Sequence, residues 1–175
     1  MIRFEKFEKA DFDRLISWVD SELFMVQFSG PIFNYPLTHP QLETYIEATN
    51  RLIYKVIDDT NHIVIGHAEL NSIDRKNQSA RICRILIGDK ENRGKGYGKQ
   101  IIQKLMQIGF EELKLHRIDL GVFDFNESAI QCYLSCGFVK EGLLRESFKV
   151  GNQFLSVYNL AILDWEYNQL KNSRV

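Results

Sequence analysis

Polar and apolar residues alternate through residues 2–7, which predicts a first strand. Residues 10–19 (ADFDRLISWV) carry apolar positions at helical spacing, with Asp11 or Asp13 near the start of a first helix. A second helix is predicted over 39–50, where Thr38 followed by Gln41 has the spacing of a capping box. Three β-rich runs follow at 51–58, 62–72 and 79–88, separated by the turn-formers DDTN and DRKNQ. Connections of that length predict antiparallel pairing. In 98–113, Ile101, Ile102, Leu105, Met106, Gly109, Phe110 and Leu113 trace a stripe of period 3.6, so this run reads as an amphipathic helix. Residues 116–123 read as a strand and 127–135 as a helix, followed by a strand pair, 138–149 and 153–164, turning at Val150, Gly151 and Asn152. The pattern is that of one α/β domain over 1–165, with a polar tail, 166–175, expected to fray after a short start.

All three prolines (Pro31, Pro36, Pro40) fall inside 29–40, which marks an irregular loop. Phe24, Phe28, Phe33 and Tyr35 make its surroundings aromatic. Two roles remain open for them: contact with a substrate, or pinning the loop to the core.

Composition narrows the class of protein. A chain of 175 residues fits one domain, and should bury roughly 70% of its unfolded surface without help from metals or disulfides. With 45% hydrophobic and 26% charged residues it reads as a soluble globular protein. Lys plus Arg number 22 and Asp plus Glu 23, and a net charge of -1 argues against a general nucleic-acid binder. A local basic site remains compatible with that balance. No run approaches the ~18 apolar residues of a membrane span, and the charged N-terminus does not resemble a signal peptide. Cys83, Cys132 and Cys136 are an odd count without ligand spacing, and the four histidines show no metal pattern. The expectation is a cytoplasmic protein that uses no metal.

The sharpest local feature is the run RGKGYG at 93–98, set between a strand and an amphipathic helix. Glycines allow close approach to the backbone, and the N–H groups at a helix start favour an anion. Lys90, Arg93, Lys95 and Lys99 add positive charge. A Walker loop would need G-x-x-x-x-G-K-[ST], which is missing, and the G-x-G-x-G spacing departs from the dinucleotide fingerprint. Read alone, the turn fits a phosphate-bearing ligand, and a nucleotide phosphate stays open.

The arrangement R-x-x-G-x-G after a strand resembles the acyl-CoA diphosphate loop of the GNAT N-acetyltransferases. Asn126, Ala129, Ile130, Tyr133, Gly137 and Phe138 resemble that family's N-x-x-A-I-x-x-Y-x-x-x-G-F segment, and the run HRIDL at 116–120 resembles the strand before it. The order of elements is similar over nearly the whole chain. The style of VFDFNESAIQCYLSCGFVKEG resembles the branch that holds ribosomal-protein and spermidine N-acetyltransferases. The resemblance implies a single-domain GNAT fold: a mixed, mostly antiparallel sheet of six to seven strands with about four helices.

It also implies a reaction, the direct transfer of acetyl from acetyl-CoA to a primary amine of a small molecule or peptide, by a monomer or homodimer. Neither nucleic acid nor membrane is implied as a partner. Acetyl-CoA would lie between the strands at 79–88 and 116–123. Its pantetheine would meet backbone groups of Ile85, Leu86 and Ile87, and its diphosphate the amides of Arg93, Gly94, Lys95, Gly96, Tyr97, Gly98 and Lys99. Asn126 and Ala129 would contact the cofactor, and Asn126 also suits a helix N-cap. Tyr133 fills the place of the family's proton-donating tyrosine. Glu69 is the candidate base, with His67 on the same strand face and water as alternatives. Where relatives often carry an acid at the start of the cofactor strand, this chain has Ala80, Arg81 and Ile82. A coenzyme A-binding module without transfer activity is the alternative reading.

Overall fold

The N-terminal alternation becomes β1 (Ile2–Lys6), paired antiparallel with β2 (Leu52–Asp58) from Ile2 opposite Asp58 to Lys6 opposite Tyr54. In the computed structural model, which describes residues 1–173, seven strands form one sheet in the order β1-β2-β3-β4-β5-β7-β6. β3 is Ile63–Asp74, β4 Ser79–Ile87, β5 Arg117–Phe123, β6 Val139–Val150 and β7 Gln153–Leu163. β4 and β5 run parallel over residues 79–81 and 117–119, while β5–β7 and β6–β7 are antiparallel. The sheet is therefore mixed and mostly antiparallel, as expected. Among the described residues the α-helices number six rather than about four: α1 (Phe12–Trp18), α2 (Glu22–Ser29), α3 (His39–Glu47), α4 (Tyr97–Gln107), α5 (Glu127–Ser135) and α6 (Asp164–Asn172). None of them is long and apolar enough to cross a membrane.

The chain divides into two compact units, residues 1–69 with 83–101, and residues 70–82 with 102–175. The core of the first gathers Phe7, Phe12, Leu15, Met25, Phe28, Phe33, Leu37, Leu42, Tyr45 and Leu86. Each large apolar side chain so buried contributes about 1.5–3 kcal/mol relative to exposure. Phe28 and Phe33 thus pin the proline-rich loop, whereas Tyr35 is exposed and donates its hydroxyl to the Asp20 carbonyl at 3.2 Å. α2 escapes a periodicity reading because its apolar residues Leu23, Phe24, Met25, Val26 and Phe28 surround it instead of forming a stripe. Its start is nonetheless marked, since the Ser21 hydroxyl accepts the Phe24 N–H at 3.3 Å. At α3 the expected capping box does not close. Gln41 turns its side chain to the loop, accepting the Asn34 N–H at 2.7 Å and donating to the Asn34 and Pro36 carbonyls.

In the second unit the stripe of α4 continues into a π turn at Ile108–Glu112, where the Leu113 N–H reaches the Ile108 carbonyl. Gly109 lies in this turn, where a Cβ would come within 2.5 Å of Ile118 Cδ1 and displace the end of that side chain. The residues expected to fray form α6 instead. Glu166 accepts the Leu163 N–H at 2.8 Å, Tyr167 stacks on Phe110 at 4.9 Å, and Lys171 pairs with Glu111 at 2.7 Å. Residues 174 and 175 of the expected tail lie outside the described residues.

Candidate active site

The glycine-rich turn leaves β4 and enters α4 within the first unit. Gly94 and Gly96 stand at φ 76° and 79°, the left-handed region that side chains disfavour. A Cβ built on either meets no heavy atom within 4 Å, so the backbone faces open space. The Gln100 N–H closes the first helical bond on Gly96 at 3.3 Å. The amides of Tyr97, Gly98 and Lys99 precede that bond and have no acceptor inside the helix. They are the positive end of the α4 dipole.

The side chains around the turn point elsewhere. Arg93 folds back to donate Nε to the Ile87 carbonyl at 3.2 Å and Nη2 to the Gly88 carbonyl at 3.0 Å, and its guanidinium lies 5.5 Å from the Phe24 ring centre. Tyr97 donates its hydroxyl to Asp58 Oδ2 at 2.5 Å, which ties the start of α4 to the end of β2. That bond, with those from Thr60, holds the Asp58 carboxyl down at about 2, and Asp58 in turn raises the Tyr97 phenol. Lys95 reaches Asn92 at 3.5 Å. Lys90, Lys95 and Lys99 remain exposed.

Ahead of the turn, Gly88 donates its N–H to Ile65 of β3 at 3.0 Å. By the two-residue alternation of an extended chain, Leu86 faces the same edge, while Ile85 and Ile87 present their backbone groups away from β3. Leu86 is buried and its carbonyl approaches Gly66, where a Cβ would lie 2.4 Å from it. Ile85 and Ile87 are half-buried.

Glu69 occupies a place the sequence did not foresee. Its exposure is 0%, and both of its carboxylate oxygens are engaged. Arg84 donates Nε to Oε2 and Nη2 to Oε1, the latter at 2.8 Å, and the Tyr45 hydroxyl donates to Oε2. Arg51 Nη1 adds a contact of 3.5 Å to Oε1. Because Tyr45 gives its proton to the carboxylate, its oxygen must accept from His67 Nε2, 3.1 Å away. His67 is thus a neutral ring with its proton on Nε2, and burial, helped by Arg84, lowers its pKa to about 3. Burial, and after it the Glu69 charge, raises the Tyr45 phenol well above its ordinary value. Burial opposes the Arg84 charge, but the Glu69 fork outweighs it and the pKa rises. The two candidate bases, His67 and Glu69, are brought together, but inside the core.

In the second unit, Asn126 caps α5: its Oδ1 accepts the Ala129 N–H at 3.3 Å and the Ser128 hydroxyl at 3.2 Å. The other end of α5 explains the C-G-F run. The Gly137 N–H reaches the Leu134 carbonyl at 3.0 Å and the Phe138 N–H the Tyr133 carbonyl at 3.2 Å, a Schellman motif with Gly137 at φ 96°. The apolar contact that accompanies this motif falls on Tyr133 itself, whose half-buried ring meets Phe138 edge-on at 6.0 Å. Helix cap and helix stop therefore both bear on the placement of this tyrosine.

Arg84, Tyr45 and Asp58 were missed by sequence reasoning. Arg84 did leave a signal: it falls in step with Ala80, Ile82 and Leu86 on the buried face of β4, where an arginine needs a buried partner. Tyr45 and Asp58 left none, because their partners are distant in sequence.

Comparison with known proteins supplies the context for this geometry. A model of the acetyltransferase (GNAT) family matches residues 13–138. The chain is 35% identical over 112 residues to the spermidine N(1)-acetyltransferase of Vibrio cholerae, covering 64% of each chain. It is 36% identical over 112 residues to the uncharacterized N-acetyltransferase p20 of Bacillus licheniformis, covering 64% of this chain and 61% of that one. These alignments thus span less than two thirds of either relative's length. In three dimensions the chain is similar to the crystal structure of the V. cholerae spermidine N-acetyltransferase in complex with CoA and spermine. The TM-score is 0.83 at 27% identity, over 95% of this chain and 98% of that one. The family model spans both the glycine turn and α5, and the chain belongs to the acetyltransferase (GNAT) family.

Proposed function

We propose that the protein moves the acetyl group of acetyl-CoA to a primary amine of a small molecule or a peptide. The observation that carries this reading is the open cradle at Gly94 and Gly96, whose left-handed backbone leaves unobstructed space before the start of α4. A diphosphate suits it, because it would accept from the amides of residues 94–99 at the positive end of a helix dipole, whereas the Arg93 N–H, expected among them, is bonded to the Lys90 carbonyl at 3.1 Å. Lys95 and Lys99 would add charge from the surface, while Arg93 acts on the protein side, holding the loop to the end of β4. Backbone groups of Ile85 and Ile87 would pair with the pantetheine amides, and the packing of Leu86 would fix their direction. Asn126 and Ala129 would meet the cofactor at the start of α5.

Acetyl-CoA supplies an acetyl thioester. The reaction exchanges a C–S bond for a C–N bond, with one proton leaving the amine and one reaching the thiolate. The Tyr133 phenol is the proposed donor to sulfur: with an ordinary pKa of about 10 it holds its proton at neutral pH and can give it to the thiolate as the C–S bond breaks. An N–H of the β4 edge would stabilise charge growing on the thioester oxygen. Since Glu69 has both oxygens engaged and no exposure, water is the proposed acceptor of the amine proton.

A screen for acetyl-CoA-dependent thiol release tests the reading over four acceptor classes: polyamines, peptide α-amines, amino sugars and drug-like amines. Polyamines come first, given the spermidine N-acetyltransferases among the similar proteins. The expected result is saturable release matched by amide formation in at least one class. Binding of coenzyme A with no turnover in any class would favour a module without transfer activity.

A further inference from the structure

Arg84 is the one residue of β4 at positive φ, 50°, and it is not a glycine. A left-handed residue inside a strand bends it and re-aims the residues beyond the bend. In β4 those residues are Ile85, Leu86 and Ile87. A side chain larger than glycine stays in that region only where its surroundings over-determine it. Those surroundings are unusual for an arginine. The side chain is 6% exposed, its Nε and Nη2 form a two-point fork on Glu69, and Nη1 reaches the Ser29 carbonyl at 3.4 Å. Glu69 is held in turn by the Tyr45 hydroxyl and approached by Arg51. Both guanidiniums lie against the Tyr45 ring, Arg51 at 5.3 Å and Arg84 at 5.5 Å from its centre. A planar fork fixes direction as well as position, which a point charge does not.

Building on the acetyl-CoA reading, we infer that Arg84 and Glu69 are positioning residues, whose buried fork holds the left-handed kink of β4 and so aims the backbone of residues 85–87 at the cofactor. Neither touches the cofactor. Glu69 serves the reaction through Arg84, and the carboxylate that its residue type suggests as a base is a structural anchor. Tyr45 completes the clamp by occupying the remaining approach to Oε2.

The test separates the kink from the packing. Glu69→Gln/Arg84→Ala and Glu69→Gln/Arg84→Gly both remove the fork and the buried charge pair, and differ by one methyl group. Glycine is at ease at φ 50°, whereas alanine is not. Calorimetric titration with acetyl-CoA should find the glycine variant within about threefold of the wild-type Kd and the alanine variant about tenfold weaker. Lost packing predicts the reverse order, because glycine removes more of it. Equal affinities, or a weaker glycine variant, would overturn the inference. Should the double variants fail to fold, Arg84→Lys keeps the charge and loses the fork, and there a weaker Kd supports the inference and an unchanged one overturns it. A wild-type protein that does not bind acetyl-CoA defeats the functional reading itself. Wild-type binding with indifferent variants defeats only the positioning role.

Discussion

His67, Tyr45 and Glu69 form a chain in which each proton has one place: imidazole Nε2–H to phenol, phenol to carboxylate. The neutral imidazole makes this chain sensitive to acid. Its pKa of about 3 in the folded protein lies below the ordinary 6.5, so the unfolded state takes up the proton first. The contribution is whole above pH 6.5 and is lost as pH falls toward 3. Unfolding free energy should therefore drop by ~2 kcal/mol between pH 7 and pH 5 from this group. Denaturant titrations of wild type and His67→Gln should show the variant less stable at pH 7 and flatter across that interval. Equal slopes would remove His67 as the acid-sensitive group. Tyr133 is tested by kinetics. Tyr133→Phe should lower kcat about tenfold or more while the Kd for acetyl-CoA stays within about twofold. An unaltered kcat would remove the phenol as proton donor.

At the scale of elements, the placement of Tyr133 depends on how α5 ends. Gly137 stands at φ 96° with its Cβ direction blocked by Leu170 Cδ1 at 2.3 Å, and it closes the motif that sets Phe138 against Tyr133. Gly137→Ala should cost about 1–3 kcal/mol in thermal or chemical unfolding and lower kcat more than it weakens acetyl-CoA binding. A stability loss with kcat intact would show that α5 tolerates another ending. Local signals were legible in the sequence: the Asn126 cap, the Val150 to Asn152 turn and the stripe of α4. Where partners are distant, the sequence was silent. α2 has no stripe, α6 relies on Phe110 and Glu111, and Gln41 serves Asn34 and Pro36 as well as the Thr38 hydroxyl. Glu69 shows the same limit at the site. Its residue type suggested a base, and only the positions of Tyr45, Arg51 and Arg84 show it buried with both oxygens engaged.

For the whole molecule, near-neutral charge goes with a local basic address. Lys90, Lys95 and Lys99 flank the glycine turn in a chain of net charge -1. Exposed charges are screened beyond ~10 Å at 0.1 M salt, so their pull on a phosphate should be salt-sensitive and modest. The binding itself should rest on the backbone cradle. The most direct measurement is a calorimetric titration of acetyl-CoA, ATP and NAD into the wild-type protein and into Gly96→Val. A β-branched residue is strained at φ 79° and would project into the open space before α4. The wild type should bind acetyl-CoA in preference to both nucleotides, and Gly96→Val should bind it at least about tenfold more weakly. Preference for ATP or NAD, or an unchanged affinity in Gly96→Val, would contradict the assignment of this turn to acetyl-CoA.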